Sequence, residues 1–83
     1  MRVRVLGKIW KLRFAHGLSN RGDCDPPEKH GKEIRVSADL VGEERLEVVL
    51  HELVHAAGWH IDDPFAEQFA RDAARIIWRL GHR

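Results

Sequence analysis

The stretch GEERLEVVLHELVHAAG, residues 42–58, decides the fold. Its apolar residues recur at intervals of three and four, as they do along the core-facing side of an α-helix. They are Leu46, Val49, Leu50, Leu53 and Ala57. The first turn is rich in glutamate, which the helix dipole favours there, and Gly58 is a suitable C-terminal cap. The stretch therefore predicts one amphipathic helix packed on a core.

A second helix is predicted directly after the first. It begins at Asp62-Asp63-Pro64, because aspartate caps helices well and proline suits the first helical position. Gly81 ends it. We expect its apolar residues to form the packing face, namely Phe65, Phe69, Ala73, Ile76, Ile77 and Leu80.

The N-terminal half has the alternating pattern of strands. Apolar and charged residues alternate over 2–14, with a change of phase at Gly7 that indicates either a hairpin turn or a bulge. Residues 15–31 are rich in turn formers and predict a loop, and 32–37 predict a short strand. The expected fold is α+β, with a small antiparallel sheet of two or three strands packed on two helices in a single domain, 1–83.

The composition limits how such a small chain is stabilised. A domain of 83 residues buries little surface, and the one cysteine, Cys24, excludes an internal disulfide. A metal ion or self-association as a homodimer remains to stabilise it. We expect a cytoplasmic protein, because no signal peptide and no apolar run of membrane-spanning length is visible.

The charges are unevenly distributed along the chain. Residues 1–36 carry nine basic and four acidic side chains, whereas 37–83 carry five basic and nine acidic ones. A basic half can attract nucleic acid. The preferred explanation is that strands carry these cations on their solvent face and at their edges, because no aromatic residues alternate with them for base stacking. Nucleic acid is therefore not the expected partner.

The run His51-Glu52-Leu53-Val54-His55 carries the chemistry. On a helix, the two histidines lie one turn apart on the same side, so both imidazoles can bind one zinc ion. Glu52 can act as a general base toward a water molecule activated by the metal. A third ligand is required, and Glu67, His60 and Asp63 are the candidates. His60 is also a candidate catalytic residue that would stabilise an oxyanion or donate a proton.

The order of a strand, a helix with His-Glu-Leu-Val-His and a second helix with an acid resembles the core of zincin metallopeptidases. It is most similar to the small glutamate-type zincins of bacteria and phages, such as ImmA/IrrE-like and SprT-like proteins. The resemblance covers about residues 32–80. It implies His51, His55 and Glu67 as zinc ligands, Glu52 as the base, and residues 32–36 as the edge strand that binds an extended substrate. The chain has no tyrosine, so a tyrosine cannot stabilise the oxyanion.

The sequence therefore predicts a minimal zinc-dependent metallopeptidase that acts on a peptide or protein substrate. The alternative is a non-catalytic module that zinc stabilises, associated with nucleic acid through its basic N-terminal strands. The two differ in whether zinc keeps a position open to water or is closed by four protein ligands.

Overall fold

A computed structural model of the chain describes residues 1–82. Four strands precede two helices along the chain. The strands are β1 (Arg2–Val5), β2 (Lys8–Ala15), β3 (Gly22–Cys24) and β4 (Glu33–Ser37), and the helices are α1 (Gly42–Ala57) and α2 (Asp63–Arg79). The α+β class predicted from the sequence is confirmed.

The change of phase at Gly7 is a hairpin turn. β1 and β2 pair antiparallel with Val5 opposite Lys8, so the loop contains only Leu6 and Gly7. Both have positive φ, 49° and 80°, as a two-residue turn that follows the twist of the strands requires.

The sheet differs from the predicted one in size and direction. It has four strands in the order β1-β2-β4-β3, and β2 runs parallel to β4, whereas the other pairs are antiparallel. The additional strand, β3, lies inside the predicted loop. Its residues, Gly-Asp-Cys, have turn-forming composition, and only the pairing with β4 makes them a strand. The sheet is therefore mixed, and the prediction of two or three antiparallel strands is wrong.

Helix α1 covers one face of this sheet and forms the core with it. Trp10, Ile34 and Val36 are fully buried on the sheet side. The most buried line of α1 is Val48, Glu52 and Ala56, one residue round from the predicted stripe. Val49 and Leu53 of that stripe still pack against the core, but Ala57 is exposed. An acidic residue thus lies in the middle of the core-facing line.

Helix α2 packs on α1 through small residues instead of the predicted large ones. Ala66, Ala70 and Ala74 are completely buried at successive turns. Four of the residues expected to pack remain more than half exposed, namely Phe65, Phe69, Ile76 and Leu80. Alanine lets two helices approach closely, and large side chains are then displaced to the flank of the contact. The predicted packing face of α2 is therefore wrong.

Neither helix within residues 1–82 combines the length and the apolar character needed to cross a lipid bilayer.

Candidate metal centre

The two histidines of α1 point toward the same spot, as their spacing predicted. Both are half-buried, and their rings are tilted with centroids 4.9 Å apart. The Nε2 atoms of His51 and His55 lie 3.1 Å from each other. Two nitrogen ligands thus converge without a protein group between them.

Asp63 brings a carboxylate to this pair from the first turn of α2. The Asp62 side chain caps the helix, because its Oδ1 accepts a hydrogen bond of 2.8 Å from the Phe65 N–H. Of the two aspartates at the predicted helix start, Asp62 is therefore the cap, and Asp63 turns toward α1. Its Oδ1 lies 2.8 Å from His55 Nε2 and 3.7 Å from His51 Nε2.

These three atoms fit one face of a zinc coordination tetrahedron. With bonds of about 2.0–2.1 Å, neighbouring ligand atoms of tetrahedral zinc stand about 3.3 Å apart. The distances observed among His51, His55 and Asp63 are 2.8, 3.1 and 3.7 Å. Imidazole with carboxylate is a common donor set for zinc. The group could therefore hold a metal ion.

The two other candidate ligands, Glu67 and His60, are not members of this group. Glu67 lines the same cavity, one turn along α2 from Asp63, but its Oε1 accepts a hydrogen bond of 3.0 Å from the Arg71 guanidinium. His60 is exposed in the turn between the helices and is not part of the cavity lining. Glu67 thus lies near the group formed by His51, His55 and Asp63 but is not a member of it. The placement of His60 gives no support to a ligand or catalytic role.

Glu52 is buried beside the histidines and lines the same cavity, with only 7% of its surface exposed. Within residues 1–82, its carboxylate makes no hydrogen bond and no ion pair. Burial and, to a smaller extent, the negative charges of Asp23 and Asp63 raise the pKa of Glu52 to about 7, although Arg35 lowers it. A buried carboxylate without a partner is costly and rare, so Glu52 is a candidate functional residue.

The electrostatics of His51 also suit metal binding. Burial lowers the pKa of His51, and the neighbouring His55 lowers it further, whereas Asp63 and Glu67 raise it. A metal ligand must be a neutral imidazole, so a lowered pKa reduces the competition between protons and metal.

The group opens into a cavity of about 730 Å³ beside the sheet. Its far wall is β3, which contributes Gly22, Asp23 and Cys24. β3 is the edge of the sheet, whereas β4 lies between β2 and β3. The expectation that residues 32–36 form the edge strand is therefore wrong, because β3 covers them.

A glycine allows β3 to lie this close to α1. A Cβ atom on Gly22 would stand 2.9 Å from the Arg35 carbonyl oxygen and 2.9 Å from Val48 Cγ1. Both distances are shorter than carbon atoms tolerate, so any larger residue would push β3 away from the helix. The absent side chain thus sets the width of the cavity.

Cys24 faces the cavity as a neutral thiol. Burial raises its pKa to about 12, and the negative charges of Glu52 and Asp25 contribute. Its Sγ donates a hydrogen bond of 3.3 Å to the Asp25 carbonyl oxygen. Cys24 does not belong to the group formed by His51, His55 and Asp63.

An ion-pair network fixes β3 to β4 at this edge. The Arg35 guanidinium donates hydrogen bonds to Asp23, to Asp25 at 2.7 Å and to Glu33 at 3.0 Å. Asp25 is 6% exposed, and its Oδ2 also accepts a hydrogen bond of 2.9 Å from the Glu33 N–H. This network was not predicted from the sequence. The one available signal was a set of acids in a loop followed by an arginine within a strand.

Comparisons with protein-family models, with curated proteins and with solved structures find no match to this chain.

Proposed function

We propose that this protein is a minimal zinc-dependent peptidase in which His51, His55 and Asp63 hold the metal and Glu52 is the general base. The observation that carries the proposal is the Glu52 carboxylate, which is buried, lacks a protein partner and lines the cavity that contains the histidine pair. A site that only stabilises the fold has no need of such a group.

Each residue would have a defined task. A bound zinc ion would supply a Lewis acid that polarises a carbonyl group and makes a water molecule more acidic. Glu52 would accept a proton from the attacking water and deliver it to the nitrogen of the leaving amine, so that the carboxylate is regenerated. Because burial raises the proton affinity of Glu52, its carboxyl group is suited to both steps near neutral pH.

The free edge of β3 supports a peptide as the substrate. Among residues 1–82, β3 pairs with β4 on one side only, and its residues Gly22–Cys24 form one wall of the cavity. An extended peptide can add to such an edge through main-chain hydrogen bonds. This arrangement would hold a peptide bond between β3 and Glu52.

Glu67 distinguishes this proposal from the alternative of a zinc-stabilised binding module. A structural zinc site has four protein ligands, whereas a catalytic one has three and an open position. The described group has three members, and Glu67 is the neighbouring carboxylate that could complete a fourth. The alternative therefore predicts that Glu67 binds together with Asp63.

Metal content and peptidase activity test the proposal together. We expect the wild type to bind one zinc ion per chain, and Glu52→Gln to bind zinc equally well. Asp63→Ala should bind zinc at least 10-fold more weakly. Peptide hydrolysis should be lost in Glu52→Gln. Asp72→Ala is the matched control, because it removes an exposed acid from the same helix.

Three results would contradict the proposal. Absence of stoichiometric metal would refute the metal site. Loss of zinc in Glu67→Ala but not in Asp63→Ala would identify Glu67, and not Asp63, as the third ligand. Zinc binding weakened equally by both substitutions, without hydrolysis of a general peptide mixture, would establish the stabilised module instead.

A further inference from the structure

Helix α2 carries an apolar face that nothing in residues 1–82 covers. Phe65, Phe69, Ile76 and Leu80 are 59%, 52%, 60% and 68% exposed, and we name these four residues the α2 stripe. The rings of Phe65 and Phe69 stack with an interplanar angle of 6° and centroids 6.2 Å apart. At helical spacing, the four exposed apolar side chains thus lie along one side of α2.

The spacing of the residues in the α2 stripe is the same in both directions along the helix. Its members are separated by four, seven and four residues, so the pattern is symmetric about the point between Asp72 and Ala73. A second α2 that runs antiparallel about a two-fold axis there would place Phe65 opposite the partner's Leu80. Phe69 would lie opposite the partner's Ile76. A two-fold interface requires this self-complementarity.

We propose that the α2 stripe is the interface of a homodimer in which two α2 helices pack antiparallel. The partner is a second copy of this chain, because the charges beside the stripe also complement themselves. The Arg75 guanidinium has no acidic partner within residues 1–82, and Asp72 accepts a hydrogen bond only from Gln68 there. About the same axis, each Asp72 lies beside the partner's Arg75.

The area of the stripe suits such an interface. A phenylalanine offers roughly 200 Å² of surface, so the two exposed rings contribute roughly 110 Å² each. With Ile76 and Leu80, each copy presents on the order of 400 Å² of apolar surface. Two copies would bury on the order of 800 Å² of apolar surface, about two thirds of the roughly 1,200 Å² at the lower limit of specific interfaces, and the flanking polar side chains supply the rest.

The mass of the protein in solution tests this proposal. Light scattering after size-exclusion chromatography should give twice the chain mass of 9.6 kDa. Phe69→Ser should raise the dissociation constant at least 10-fold. Leu6→Ser is the matched control, because it removes an apolar side chain that is 79% exposed from the β1–β2 turn and should leave the dimer unchanged.

A charge exchange tests the antiparallel register. Asp72→Arg should weaken the dimer, because four arginines then meet near the axis, and Asp72→Arg combined with Arg75→Asp should restore it. Circular dichroism verifies that each variant is folded. A wild type that is monomeric at every concentration would overturn the proposal. A dimer that a folded Phe69→Ser variant leaves intact would overturn it too. The measurement is independent of metal and activity, so it stands or fails separately from the proposed function.

Discussion

Replacing Asp25 with asparagine should show that the ion-pair network fixing β3 is a major part of the stability. The Asp25 carboxylate accepts hydrogen bonds from Arg35 at 2.7 Å and from the Glu33 N–H at 2.9 Å, and Lys29 Nζ lies 3.4 Å away. The hydrogen bond from Arg35 is the main reason that the pKa of Asp25 falls from 3.8 to about 2, although burial opposes it. The ionised form is therefore favoured in the folded state.

This pKa difference sets the magnitude and the pH range of the effect. A carboxyl group with a pKa of about 2 when folded and 3.8 when unfolded contributes about 2 kcal/mol to the free energy of unfolding. Because the folded pKa is the lower one, the contribution is complete above pH 3.8 and is lost as the pH falls through about 2. Asp25→Asn should thus be about 2 kcal/mol less stable than the wild type at pH 7 and nearly as stable at pH 2.

Urea denaturation followed by tryptophan fluorescence measures this difference, because Trp10 is buried in the core. Asp39→Asn is the matched control, since its side chain is 80% exposed and should change stability little at either pH. An equal destabilisation of Asp25→Asn at pH 2 and pH 7 would refute the electrostatic explanation. No destabilisation at pH 7 would refute the network as a source of stability.

Three further substitutions probe the site and its support. In the metal-free protein, Glu52→Gln should raise the free energy of unfolding by about 1–3 kcal/mol, because an unpartnered buried carboxylate becomes a neutral amide. A Glu52→Gln variant that is less stable than the wild type, with both proteins in chelator, would contradict this. Gly22→Ala should lower the melting temperature by an amount equivalent to about 1–3 kcal/mol, since its Cβ would meet Arg35 and Val48 at 2.9 Å. Ala70→Leu should separate α1 from α2 and weaken zinc binding, whereas Gln68→Leu on the exposed face should not. Equal zinc affinity in both leucine variants would show that the distance between α1 and α2 does not control zinc binding by His51, His55 and Asp63.

The sequence by itself determined the parts that depend on local spacing. The two helices follow from their caps and from the helical period, and the interval between His51 and His55 already implies that both rings converge. The acid between them could be identified as a candidate base from its position alone. These features depend on residues within one or two turns, so no knowledge of the distant chain is needed.

The pairing of distant segments was decided only by the tertiary structure. Gly22–Cys24 becomes the edge strand because β4 binds it, and no local pattern specifies that register. Asp63, and not Glu67, joins His51 and His55 because of the way in which α2 packs against α1. That contact depends in turn on Ala66, Ala70 and Ala74, whose small side chains gave a weaker hydrophobic signal than the phenylalanines beside them.

The burial of Glu52 also belongs to the tertiary structure. In the sequence it is one acid in an amphipathic helix, and a rotation of that helix by one residue would expose it to water. The absent side chain of Gly22 lets β3 close over this side of α1, so that Glu52 is 7% exposed and faces the cavity between them. Hydrophobic periodicity predicts that a helix packs against the core. The exact rotation of that helix about its axis depends on contacts between residues far apart in the chain.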